Sequence, residues 1–131
     1  MPSAFSTAAI VASALTGLAF AQNYTASYTI DADTRTFRDS DNRAMIFHGM
    51  NVVVKLPPYI PETDVFNWDL SLNDEDLELM RSWGVNMIRL GVMWESVERS
   101  PGVYDMDYLD QISALIANIA SYEIAVIVDN H

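Results

Sequence analysis

The sequence predicts an α/β fold, a β-hairpin followed by β-α-β-α-β, with its three main strands parallel. Three observations carry that expectation. An amphipathic helical pattern ends at Gly84, and the apolar run Val85-Asn86-Met87-Ile88-Arg89-Leu90 begins at once. A second helical pattern is followed in the same way by Ile124-Ala125-Val126-Ile127-Val128. Each of the three apolar runs then gives way to polar residues: Asn51 and Lys55; Arg89, Trp94 and Glu95; Asp129 and His131. In parallel α/β folds, chemistry gathers beyond the C-terminal ends of the strands.

At 131 residues, half of them hydrophobic, the chain has material for one small domain. Seven basic and eighteen acidic residues give a formal charge of −11, which argues against nucleic acid as a partner, because phosphate binding needs a basic surface. The acidity reads as a solvated surface. With no cysteine there is no disulfide framework, thiolate metal site or thiol nucleophile in this stretch.

Residues 1–21 read as a secretory signal peptide, leaving 22–131 as the mature segment. Ala4 to Phe20 is small and apolar, and Ala19-Phe20-Ala21 before Gln22 has the A-x-A form of a cleavage site. No Lys or Arg precedes the apolar run, and Ser6, Thr7, Ser13, Thr16 and Gly17 interrupt it, which disfavours a membrane anchor. Asn23-Tyr24-Thr25 is a glycosylation sequon that matters only in a secreted chain.

Tyr24 to Ile30 alternates in a β-like way. Thr36-Phe37-Arg38 and Ala44-Met45-Ile46-Phe47 flank the polar turn Asp39-Ser40-Asp41-Asn42, so a hairpin is expected, covering the closed end of the domain. Met45 to Val54 reads as a strand buried on both faces. Asn51 interrupts it, and a buried amide needs partners, so Asn51 either ties loops together or faces a site. Pro57, Pro58 and Pro61 make residues 56–67 a loop. Its Tyr59 and Phe66, with Trp68 just beyond, either pin the loop to the body or form a platform beside a cleft.

Ser71 is the expected cap of the next helix, with Asp74, Glu75 and Asp76 in its first turn and Leu77, Met80 and Trp83 on one face. Pro101-Gly102 marks a turn. The second helix runs from about Asp107 to Tyr122, capped by Asp105 or Asp107, with Tyr108, Ile112, Leu115 and Ile119 in a stripe that Ile116 widens. Arg89 stands inside an apolar strand and must be paired there. No carboxylate is evident for it in the apolar runs, so its partner is expected downstream of residue 131. Asp129 and His131 alone supply too few ligands for zinc.

The segments Phe47-His48-Gly49-Met50-Asn51-Val52-Val53-Val54-Lys55-Leu56-Pro57-Pro58-Tyr59, Trp83 to Trp94, Pro101-Gly102-Val103-Tyr104-Asp105 and Asp129-Asn130-His131 resemble glycoside hydrolase family 5, in its endoglycoceramidase-related branch. The resemblance runs from about Thr36 to the end. It implies the N-terminal part of a (β/α)₈ TIM barrel, with no cofactor or metal. It also implies a retaining mechanism on two glutamates about 5–5.5 Å apart. Arg89 resembles the arginine that orients the nucleophile. His131 resembles the histidine lining the sugar subsite, and Asp129 and Lys55 resemble glycan-contacting residues; by position at the strand ends, Trp94 is a lining or packing residue and Asn51 a supporting one. Glu95 matches neither catalytic glutamate, and both are expected beyond residue 131. Such a barrel takes ~250 residues, so a truncated, inactive chain is expected. The implied partner is a glycan or glycosphingolipid, with membrane lipid met only through the substrate, in a secreted or lysosomal setting. The alternatives are a non-catalytic glycan-binding module, a non-functional truncation product, or a β-glucanase or β-mannanase of the same family.

Overall fold

The computed structural model describes residues 28–131, so the expected leader, the sequon and the start of the Tyr24–Ile30 strand lie outside the described residues. Strands β1 (Thr29–Ile30), β2 (Phe37–Arg38) and β3 (Ala44–Met45) form an antiparallel meander. Then come β4 (Gly49–Val53), α1 (Asp74–Ser82), β5 (Met87–Val92), α2 (Trp94–Val97), β6 (Glu98–Ser100), β7 (Val103–Tyr104), α3 (Met106–Ser121) and β8 (Ala125–Asn130). Strands β4, β5 and β8 make one parallel sheet in that order. The expected β-α-β-α-β run is present, and the described residues form an open sheet rather than a closed barrel.

Two faces of this sheet follow from strand alternation. Ile88, Leu90 and Val92 of β5, with Ile124 just before β8, face a helical layer of Leu77, Tyr108, Ile112, Leu115 and Ile119, all buried in one cluster. At about 1.5–3 kcal/mol for each fully buried large aliphatic side chain, this layer supplies most of the stabilisation. Opposite it, the register aligns Asn51 with Arg89 and Ile127, and Gly91 with Val53 and Asp129.

Asn86 ties together the entry to the sheet. Its Oδ1 accepts from the His48 N–H at 2.8 Å and its Nδ2 donates to the Ile46 carbonyl at 3.0 Å. Its backbone N–H donates to the His48 carbonyl, and its own carbonyl accepts from the Ala125 N–H. The meander therefore sits at the N-terminal end of the parallel strands, as expected of a hairpin at the closed end. Tyr28, Phe37 and Phe47 stack edge to face beneath it.

Several elements differ from expectation. Asn73, not Ser71, caps α1: its side chain accepts from the Asp76 N–H while Asp76 reaches back to the Asn73 N–H, and the Ser71 hydroxyl donates to Asp76 instead. Gly84 ends that turn at φ +80°, as a terminating glycine should, but Trp83 leaves the Leu77 face and is exposed. β4 is not buried on both faces. Among the described residues it lies at the edge of the sheet, and Asn51 is exposed. The short α2 and the β6–β7 hairpin around Pro101-Gly102 had no periodicity long enough to announce them. Asp105 caps α3 by accepting from the Tyr108 N–H.

Loop 56–73 is held by backbone pairing more than by its aromatics. Glu62 exchanges hydrogen bonds with Leu70 and Leu72, and the Tyr108 hydroxyl donates to the Tyr59 carbonyl at 3.0 Å. Tyr59 packs against the core, whereas Phe66 and Trp68 are exposed and pin nothing among the described residues. Burial raises the Tyr108 hydroxyl above the ordinary tyrosine value.

The meander carries its own pH dependence. The Asp31 carboxylate accepts from the Thr34 N–H and from Arg38, which hold it down at about 2 against an ordinary 3.8. Because the folded value is the lower one, the stabilisation is complete above pH 3.8 and is lost as pH falls towards 2. Amide exchange at Thr34 and Arg38 is expected to accelerate in that window, after correction for intrinsic rates, and to be insensitive to pH above it. Equal protection at pH 2 and pH 5 would count against the linkage.

Candidate active site

The sequence places one cation, Arg89, in the middle of the central strand. The sheet resolves that charge across strands. Arg89 Nη2 donates to Asp129 Oδ2 at 2.7 Å, and Nη1 donates to Asn51 Oδ1 at 3.4 Å. Asp129 Oδ2 also meets His131 Nε2 at 3.0 Å. One carboxylate oxygen thus serves a guanidinium and an imidazole, and three adjacent strands contribute to a single cluster on the face opposite the helices. The expectation that no carboxylate before residue 131 serves Arg89 is overturned. The partner is Asp129 on the neighbouring strand, two residues beyond the position aligned with Arg89.

That expectation treated Arg89 as buried. Its side chain is 42% exposed and that of Asp129 29%. The pair is therefore open enough to meet a ligand, and its contribution to stability is of the order of 1 kcal/mol or less. A guanidinium carries five N–H donors, so Arg89 keeps donors beyond the two in use.

His131 is fixed by its backbone as well. Its N–H donates to the Val92 carbonyl, and its carbonyl accepts from the Trp94 N–H at 2.8 Å. These bonds extend the β5–β8 ladder past Asn130 and bring Trp94 beside His131. The Trp94 indole is about half exposed. Lys55, two residues beyond β4, is exposed and joins no hydrogen bond or ion pair among the described residues. It borders a depression of about 280 Å³ with Val53, Leu56, Pro57, Ile60 and Leu70. The structure thus brings Asn51, Arg89, Asp129 and His131 together, sets Trp94 beside them, and leaves Lys55 apart.

Glu95 faces elsewhere. It borders a different depression, with Tyr59, Arg99, Asp107 and Tyr108. Sequence reasoning missed Gly91. It pairs with both Val53 and Asp129 in the floor of the cluster, and its only signal was a glycine inside an apolar strand.

Residues 37–131 match the family described as Cellulase (glycosyl hydrolase family 5). An endoglycoceramidase of Hydra vulgaris is 33% identical over 103 residues, covering 79% of this chain and 20% of the relative. A glucosylceramidase of Rhizopus delemar is 36% identical over 118 residues, covering 74% of this chain and 17% of the relative. Among solved structures, endo-glycoceramidase II from Rhodococcus sp. superposes with a TM-score of 0.57 at 30% identity, over 72% of this chain and 20% of that one. That enzyme has also been solved with ganglioside GM3 and as a lactosyl-enzyme intermediate. The chain spans about one fifth of the length of these relatives.

Proposed function

The chain belongs to glycosyl hydrolase family 5, and from that premise we propose that it forms the first strands and the substrate-facing support of a retaining glycosidase acting on glycosphingolipid. The observation that carries this reading is the Asn51–Arg89–Asp129–His131 cluster, assembled from three parallel strands on the face a closed barrel would turn inward. The endoglycoceramidase and glucosylceramidase relatives supply the substrate class.

In this reading the chemistry divides between segments. Retaining hydrolysis needs one glutamate to protonate the leaving oxygen and a second to attack the anomeric carbon. Those two glutamates come from later strands of the full barrel. Residues 28–131 prepare the site they enter. Arg89, held in plane by Asp129 and Asn51, offers its remaining donors to the nucleophilic carboxylate. That fixes the carboxylate's orientation and favours its ionised form. Asp129 and His131 present an acceptor and an imidazole suited to sugar hydroxyls. Lys55 and Trp94 stand at the rim, the tryptophan as an apolar face for a sugar ring.

The test joins residues 28–131 to the later strands of the Rhodococcus enzyme and compares the chimaera with the 131-residue chain. The chimaera is expected to release an intact glycan from a glycosylceramide, and the 131-residue chain to give no turnover above the blank. Turnover by the shorter chain, or a folded chimaera that cleaves β-glucan or β-mannan and spares the glycolipid, would sink the proposal.

A further inference from the structure

Glycine weakens a strand, because it gives up more backbone freedom than other residues and packs nothing. At the centre of a parallel sheet its presence calls for a spatial reason. Gly91 is buried in β5, between Val53 on β4 and Asp129 on β8. A methyl group at this position would stand 2.8 Å from both Cγ atoms of Val53 and 3.0 Å from Cδ2 of His131. The space above Gly91 is therefore already filled, and one of its occupants is an imidazole.

The atom involved matters. In the imidazole ring Cδ2 is bonded to Nε2, and Nε2 is the nitrogen 3.0 Å from Asp129 Oδ2. The ring edge that lies over Gly91 is the edge that meets Asp129. The backbone bonds to Val92 and Trp94 hold the His131 main chain, so a crowded ring must turn about its own side-chain torsions. Any such turn moves Nε2 directly.

We propose that Gly91 is a positioning residue for His131: its missing side chain is the seat that lets the imidazole lie on the sheet with Nε2 against Asp129. The significance for catalysis rests on the reading of this cluster as substrate-facing. The seat itself rests only on the distances above. Asp129 holds Arg89 with the same oxygen, so the seat also governs how the guanidinium and the imidazole share that carboxylate.

Gly91→Ala perturbs two neighbours, and the two can be separated. Val53→Ala removes the methyls that crowd the new side chain and leaves the His131 contact in place. The test uses ¹⁵N-labelled 131-residue chain and follows the His131 imidazole nitrogens, with Asp129→Ala as the reference for a lost Nε2 contact. Gly91→Ala is expected to lower the thermal midpoint and to shift the Nε2 resonance towards its position in Asp129→Ala. The double variant Gly91→Ala/Val53→Ala is expected to recover the midpoint but not the resonance. A folded Gly91→Ala chain with an unshifted Nε2 signal, or recovery of the signal by Val53→Ala, overturns the seat.

A second arm places Gly91→Ala in the chimaera and measures glycosylceramide hydrolysis, where kcat/KM is expected to fall by about 10- to 100-fold. If the resonance shifts as expected while hydrolysis is unchanged, the seat stands, and it is the assignment of His131 to the substrate-facing group that fails.

Discussion

Arg89→Lys in the chimaera is expected to lower kcat/KM by about 100-fold or more, roughly 2.7 kcal/mol of transition-state stabilisation, while costing folding stability of the order of 1 kcal/mol or less. The two magnitudes differ because the guanidinium does different work in each. For folding, Arg89–Asp129 is a half-exposed pair, and water screens most of its attraction. For catalysis, its geometry is what counts. One Nη holds Asp129 and the other reaches Asn51, so the planar fork is locked between two strands with donors to spare. Lysine is a point charge on a flexible stem and cannot hold Asp129 and Asn51 while donating in plane to a third group. Kinetics of the variant against its urea midpoint separate the roles. A variant within threefold of the parent in kcat/KM would remove Arg89 from the proposed mechanism.

Leu90→Ala is expected to cost about 2–5 kcal/mol of stability, against a total of about 5–15 kcal/mol for a typical domain. Leu90 is 1% exposed, in the middle strand of the sheet, and packs in the layer formed with Leu77, Tyr108, Ile112 and Ile119. Its neighbours belong to two helices and two strands, so the cavity cannot close by the shift of one element. Ile127, on the other face of the same sheet and about half exposed, supplies the control. Ile127→Ala is expected to cost about 0.5 kcal/mol or less. Urea unfolding of both variants decides the matter: similar costs at the two positions would mean that the helix-covered face does not dominate stability.

Much of the fold was legible because it rests on periodicity. The stripe Tyr108, Ile112, Leu115 and Ile119 has all four members buried, Gly84 has the positive φ its place demanded, and the strands after both helices pair in parallel. Boundaries were less legible. Ser71 and Asn73 are both competent caps, and only the position of Asp76, three residues after Asn73, separates them. β4 differs because apolar composition announces burial on two faces, whereas among the described residues the strand has a neighbour on one side only. In the site, the polar strand ends named the residues but not their pairing. The Arg89–Asp129 contact joins positions 40 apart, and it depends on a register that neither strand states by itself. Gly91 was legible only as an anomaly, since the cause of its small size lies in Val53 and His131.

The alternation of β8 gives the sheet a form of proofreading. Val126 faces the helical layer, and Asp129 and His131 face away from it. Sliding β8 by one residue against β5 would exchange those faces. Asp129 would enter a layer of Leu90, Ile112 and Leu115 with only His131 of its own strand beside it, and Arg89 would lose its carboxylate. A mispaired sheet would thus break the Arg89–Asp129 pair and carry one of its charges into the apolar layer. Arg89 and Asp129, proposed to face the reacting groups, are therefore also the pair that rejects the wrong strand pairing, so the site and the register depend on the same two side chains.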